Sequence, residues 1–142
     1  MVKKGRIAIL TGGGDCPGIN AVIRAIAKKA ILEYGTEIIG IKDGYEGIIN
    51  GWYRPLNFDD VSGILTLGGT ILGTSNTANP YRYPSKKGNG MEFEDVSRTA
   101  LANIASLEIS CLMCIGGDGT LSIVPPEKVE YSRAKAKLVK WG

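Results

Sequence analysis

Three short segments combine glycine with aspartate or threonine: Gly12-Gly13-Gly14-Asp15, Gly68-Gly69-Thr70 and Gly116-Gly117-Asp118-Gly119-Thr120. Glycines at the end of a strand present backbone N–H groups with no Cβ in the way, so an anionic ligand can approach closely. A carboxylate among them can take a magnesium ion carried on the ligand's phosphates, which makes Asp118 a candidate metal ligand. The plainer reading of the same residues is a set of tight turns, with Asp118 capping the helix that follows. Two such turns side by side would cradle a di- or triphosphate at the carboxyl edge of a parallel sheet. Three in so short a chain, two of them with aspartate, favour phosphate.

Other chemistries fare worse. The chain has no Gly-Lys-Ser or Gly-Lys-Thr, so the Walker pattern is absent, and Cys16-Pro17 stands where a dinucleotide fingerprint needs its third glycine. With no histidine anywhere, Ser-His-Asp and Cys-His devices are excluded. Cys16 at a helix start would have a lowered pKa, yet no base stands beside it, and packing under the turn is its simpler role. Cys111 and Cys114 are three apart on a strand, which points their thiols to opposite faces and argues against a zinc pair.

The elements that must position these turns follow from hydrophobic period. Residues 6–11 read as a first strand, and Ile19, Val22, Ile23, Ile26, Ala27, Ala30 and Ile31 recur at helical spacing after Pro17, with Gly35 as the stop. Residues 37–41 read as a second strand closed by Asp43-Gly44, completing a right-handed strand–helix–strand unit. Residues 45–57 look irregular, and Asp59 or Asp60 is expected to cap a short helix through Val61, Ile64 and Leu65. Residues 68–75 form the third glycine-rich segment, placed near the end of a strand, and 76–89 a loop carrying Arg82, Lys86 and Lys87. Phe93, Val96, Ala100, Leu101 and Ile104 mark a further helix, leading to a buried parallel strand at 111–115. The expected fold is a parallel α/β sheet with helices on both faces, incomplete at its carboxyl end. A sheet edge left open there would invite association or aggregation.

One hundred and forty-two residues suit one domain, and 44% hydrophobic with 22% charged residues is the composition of a soluble globular protein. No apolar run reaches the length of a membrane span and no signal segment follows Met1, which places the expected protein in the cytoplasm. The net charge of +3 arises wholly in residues 125–142, where five basic face two acidic side chains. That tail has few aromatics and no groove-reading motif, so a solvated tail is expected rather than a contact with nucleic acid or a membrane. Val124-Pro125-Pro126 separates it from residues 1–124, the expected phosphate-donor-binding region.

Four segments in order, Thr11–Asn20, Asp43–Gly47, Gly68–Ser75 and Gly116–Thr120, resemble the amino-terminal part of 6-phosphofructokinases over about residues 5–123. The resemblance implies phosphoryl transfer to the 1-hydroxyl of fructose 6-phosphate, with Mg²⁺ and either ATP or pyrophosphate as donor. By position it implies that Gly14 contacts the donor phosphates and that Tyr45 lies beside the nucleotide. Gly117, Asp118, Gly119 and Thr120 would form a second phosphate turn, with Asp118 facing the magnesium. Asn76 and Thr77 occupy places where many ATP enzymes of the family carry arginine and an aromatic residue, and Arg82 is a candidate substitute for that arginine. Gly119 favours ATP, because pyrophosphate-dependent members often carry aspartate there.

The resemblance also marks what is lacking. The family's Thr-Ile-Asp-Asn-Asp segment, whose first aspartate acts as base, has no match in residues 121–142, nor does the sugar-phosphate half of the enzyme. A truncated phosphofructokinase without its own catalytic base is therefore one expectation. The other is a noncatalytic fragment that binds Mg·ATP or assembles with other chains, a homo-oligomer included.

Overall fold

The structure is a computed structural model that describes residues 5–12 and 17–123. Residues 1–4, 13–16 and 124–142 lie outside the described part, and with them Gly14, Asp15, Cys16 and the basic tail.

The chain opens with β1 (Arg6–Thr11), α1 (Ile19–Tyr34) and β2 (Glu37–Ile41). On β1, Ala8, Ile9 and Leu10 are all fully buried, as a strand covered on both faces requires. Ile19, Asn20, Ile23, Ala27 and Ala30 form the buried stripe of α1. Its end is set by Gly35 at φ 57°, whose N–H bonds to Ile31 O at 3.0 Å while Thr36 N reaches Ala30 O at 3.1 Å. These bonds satisfy carbonyls that a helix terminus otherwise leaves open.

Residues 45–57 depart from the expected irregularity. They form α2 (Tyr45–Asn50) and β3 (Tyr53–Leu56). The short helix holds because Tyr45, Ile48 and Ile49 are buried and because Asn103 donates to Ile48 O and Ile49 O at 2.8 and 2.9 Å. Local propensity carries little of a six-residue helix; tertiary anchoring carries the rest. The expected helix after Asp59 is a run of turns instead, closed by a reciprocal pair of bonds between Asn57 and Asp60.

The expected loop over 76–89 leads into a hairpin of β4 (Tyr83–Lys87) and β5 (Gly90–Glu94). Phe93 sits on β5 and not on the helix that follows, α3 (Ser97–Ser106). The chain then forms β6 (Ile109–Ile115) and α4 (Asp118–Ile123).

The main sheet has the order β3-β2-β1-β6. β1 pairs in parallel with β2 and with β6, whereas β3 is antiparallel to β2, so the sheet is mostly rather than wholly parallel. One face packs Ile9 and Ile38 against α1 and against Val61, Ile64 and Leu72. The other packs Ala8, Leu10, Ile39 and Leu112 against α2 and α3. The expectation of an α/β sheet with helices on both faces therefore holds.

Candidate functional site

The carboxyl ends of β1 and β6 lie side by side, and there Gly12 N donates to Ile115 O at 2.9 Å. Thr120 fills the space between the two turns. A Cβ on Gly12 would lie 2.6 Å from Thr120 Oγ1. A Cβ on Gly116 would collide with both Gly12 O and Thr120 Oγ1. These two glycines are thus fixed by packing within the chain.

Gly117 and Gly119 behave differently. A Cβ at either would meet no atom of the described residues within 4 Å, and neither has a left-handed φ. Gly119 lies in the first turn of α4, so the turn-residue explanation of this glycine fails; the space beside it is open.

That space belongs to a cleft of about 710 Å³. Its lining comes from two segments, Ile115, Gly116, Gly117, Gly119, Thr120, Ser122 and Ile123 in one and Ser75, Asn76, Thr77, Ala78 and Asn79 in the other, together with the buried Ile19 and Tyr45. Six of the expected site residues, Tyr45, Asn76, Thr77, Gly117, Gly119 and Thr120, line it. Asp118 is exposed in the first turn of α4 and is not part of this lining. Gly14 falls outside the described residues. Arg82 does not reach the cleft; its guanidinium lies 4.3 Å over the Phe93 ring on the hairpin.

Tyr45 is 5% exposed, and its hydroxyl donates to Thr120 O at 2.7 Å, tying α2 to the turn before it closes. Burial pushes this phenol well above its ordinary value, with neighbouring Cys114 adding to the shift. Burial likewise pushes the Cys114 thiol up to about 11, against the opposing pull of its hydrogen bond with Tyr45.

The third glycine-rich segment ends no strand. Residues 68–75 are turns laid across the carboxyl edge of the sheet. Three polar groups hold them there. Asn20, 1% exposed, donates to Leu67 O and Gly68 O and accepts from Ile71 N at 2.8 Å. Buried Thr11 donates to Gly73 O at 2.8 Å and pairs with Thr70 Oγ1. Asp43 N reaches Leu72 O at 2.8 Å. An unpartnered buried amide would cost about 1–3 kcal/mol, and Asn20 instead meets three backbone partners.

Sequence reasoning assigned no role to Asn20, Ser75, Asn79 or Ser122. Asn20 carried a signal, being a polar residue on the buried stripe of α1. The other three are ordinary surface residue types and carried none.

Among the described residues, no lysine or arginine lines the cleft and no group of three acidic or sulfur side chains is placed to hold a metal alone. Thr120 N and Leu121 N donate to Gly117 O at 3.0 and 3.1 Å, so the donors available to an anion are the amides ahead of Thr120 and the hydroxyl and amide groups that line the cleft. Asp118 is the one carboxylate in this turn, exposed next to Gly117 and Gly119, and a lone carboxylate is compatible only with a cation such as magnesium that keeps most of its ligands from water or phosphate. No helix among the described residues is long and apolar enough to cross a membrane.

The family model described as Phosphofructokinase matches residues 6–134. The chain is 52% identical over 118 residues to ATP-dependent 6-phosphofructokinase 2 of Clostridium perfringens, covering 82% of this chain and 32% of that protein. It is 47% identical over 118 residues to the pyrophosphate–fructose 6-phosphate 1-phosphotransferase of Amycolatopsis methanolica, covering 83% and 31%. Among solved structures, Pichia pastoris phosphofructokinase in the T-state superposes with a TM-score of 0.70 at 30% identity, over 84% of this chain and 13% of that one. The chain thus spans about a third of the length of the curated relatives it matches.

Proposed function

Because the chain belongs to the phosphofructokinase family, we propose that its cleft binds the phosphoryl donor, Mg·ATP, for transfer to the 1-hydroxyl of fructose 6-phosphate. The observation that carries this reading is the open space beside Gly117 and Gly119, two glycines that no contact among the described residues and no left-handed φ requires. A side chain at either position would project into the space a ligand needs.

The roles follow from position. The amides at Gly117 and Gly119 face the donor phosphates, joined by Gly14 from the first glycine turn. Asn76 and Thr77 in the other lining segment supply neutral amide and hydroxyl donors. Asn76 is a weaker clamp than arginine, since it adds no charge where charge develops during phosphoryl transfer. Tyr45 contributes its ring to the lining of the cleft while its hydroxyl holds Thr120 in place. Asp118 would hold the magnesium, which when bound would supply the positive charge that the described lining of the cleft lacks.

The choice of ATP rests on Gly119. A carboxylate there would both occupy the open space and repel an additional phosphate. ATP-dependent and pyrophosphate-dependent relatives are of similar identity, so the assignment is made on this residue alone.

Residues 121–142 contain no match to the family's base-bearing Thr-Ile-Asp-Asn-Asp segment. Donor binding by the cleft is the part of this reading that can be tested on the 142-residue chain by itself. Thermal unfolding with Mg·ATP or Mg·pyrophosphate tests it. A ligand at a hundred times its Kd adds about 2.7 kcal/mol, a readily measured shift. We expect the shift with Mg·ATP. A shift with Mg·pyrophosphate alone would overturn the donor assignment, and no shift with either would overturn donor binding.

A further inference from the structure

Two adjacent residues of α2 reach the two segments that line the cleft. Tyr45 donates to Thr120 O at 2.7 Å, in the segment that follows β6. Glu46, half-buried, reaches the other side: its Oε1 accepts from the hydroxyl of Tyr83, the first residue of β4, shortly after the lining segment ends at Asn79. Asn50 Nδ2 donates to the same oxygen at 3.0 Å and to Glu46 O at 2.9 Å, which holds the carboxylate against its own helix. The bond to Glu46 keeps the Tyr83 phenol above its ordinary value, so at neutral pH the phenol is protonated and donates.

The helix that carries both residues is firmly seated. A Cβ on Gly47 would collide with Lys42 O, so α2 lies directly on the chain that leaves β2, and Asn103 of α3 binds the carbonyls of Ile48 and Ile49. The Ser75–Asn79 segment has fewer ties. Its entry is held by Thr11 at Gly73 O and by Asp43 N at Leu72 O, its middle by buried Ala78. Its exit is held by Val96 N at Pro80 O, 2.7 Å, and by Tyr83, while Asn76 and Thr77 stand exposed between these ties. We propose that Glu46 is a positioning residue for the cleft: through Tyr83 it fixes the exit of the Ser75–Asn79 segment, so that α2 sets the spacing of the two lining segments. The effect on donor affinity rests on the reading of the cleft as a donor site, whereas the brace itself does not.

Amide hydrogen exchange of the 142-residue chain without ligand tests the brace. Tyr83→Phe removes only the hydroxyl. It should speed exchange at Ala78, Tyr81 and Arg82, whose amides bond within the segment, at least about tenfold, while α1 amides stay as slow as before and the melt stays cooperative. Glu46→Ala should do the same, and the double variant should add nothing to either, because both remove one bond. Glu46→Gln keeps an oxygen acceptor in place and should restore slow exchange. In a titration with Mg·ATP, Tyr83→Phe and Glu46→Ala should each weaken binding about fivefold, and Glu46→Gln should bind as the parent does.

Unchanged exchange at residues 78–82 in Tyr83→Phe would overturn the brace, as would strict additivity of the two variants. Faster exchange with Mg·ATP affinity intact would confine the bond to the fold and overturn the positioning role. A parent chain that binds no Mg·ATP would overturn the donor reading instead, and exchange in the ligand-free variants would still decide whether Glu46 holds the segment.

Discussion

Gly12 and Gly116 are glycine because the chain leaves them no room, whereas Gly117 and Gly119, one to three residues further on, are glycine although room is plentiful. The first pair belongs to the fold. It lets β1 and β6 end against each other with Thr120 between them. The second pair belongs to the cleft. Two glycine pairs that look alike in the sequence therefore divide into one that packing explains and one that leaves open space beside the cleft. The comparison teaches that the space a missing Cβ would occupy is informative where the glycine itself is not.

The largest expected effect is on the packed side. Gly116→Ala forces a methyl against backbone and threonine together, and overpacking of this kind costs about 3 kcal/mol or more when backbone must move. Loss of the cooperative thermal transition, or a fall of many degrees, would be its signature. Survival of Gly116→Ala with an unchanged melt would erase the distinction between the pairs.

Next comes alkaline destabilisation of the layer beneath the turn. The Cys114 thiol is raised from 9.0 to about 11, so the native state keeps a proton that the unfolded chain releases. Stability is therefore full below pH 9, falls between pH 9 and 11, and has lost on the order of 2 kcal/mol above that. The raised phenol of Tyr45 acts in the same direction from about pH 10 upward. Denaturant unfolding across that range should show the decline, and Cys114→Ala should flatten its first part.

Gly12→Ala is expected to cost about 1–2 kcal/mol, less than Gly116→Ala because only the Thr120 side chain stands in the way. Pairing it with Thr120→Ala should recover part of that loss, a non-additivity readable in a double-mutant cycle. Strict additivity would mean that the two residues do not compete for the same space.

The smallest stability change, and the sharpest contrast, is Gly119→Ala. In the first turn of a helix it should stabilise the chain by up to about 0.5–1 kcal/mol. The same methyl should weaken Mg·ATP binding by about tenfold, roughly 1.4 kcal/mol, in a titration. Gly119→Ala with improved stability and intact ATP affinity would place the ligand elsewhere.

What the sequence revealed follows the same division. β1, α1 and β2 were legible to the residue or nearly so, because their hydrophobic periods are clean and Gly35 stops the helix in a left-handed conformation. The middle of the chain was not. Its turns, short helix and third strand are held by bonds from Thr11, Asn20, Asn103 and Asp43, up to 62 residues away, and no local window contains both partners. The site showed a similar pattern. The glycine turn at residues 116–119 was written in adjacent residues and lines the cleft as expected, while the polar segment from Ser75 to Asn79 depends on how Asn20 and Thr11 lay the preceding segment over the sheet.

The pairing of β1 with β6 has a consequence in time. Ser110 on β6 bonds to Arg6 across 104 residues of sequence. On a ribosome adding roughly 5–20 residues per second, the β1–α1–β2 unit emerges on the order of ten seconds before the strand that completes its sheet. For that interval a strand destined for the centre of the sheet has one bare side. The newborn chain is most exposed to misassociation while it waits for residues 109–115.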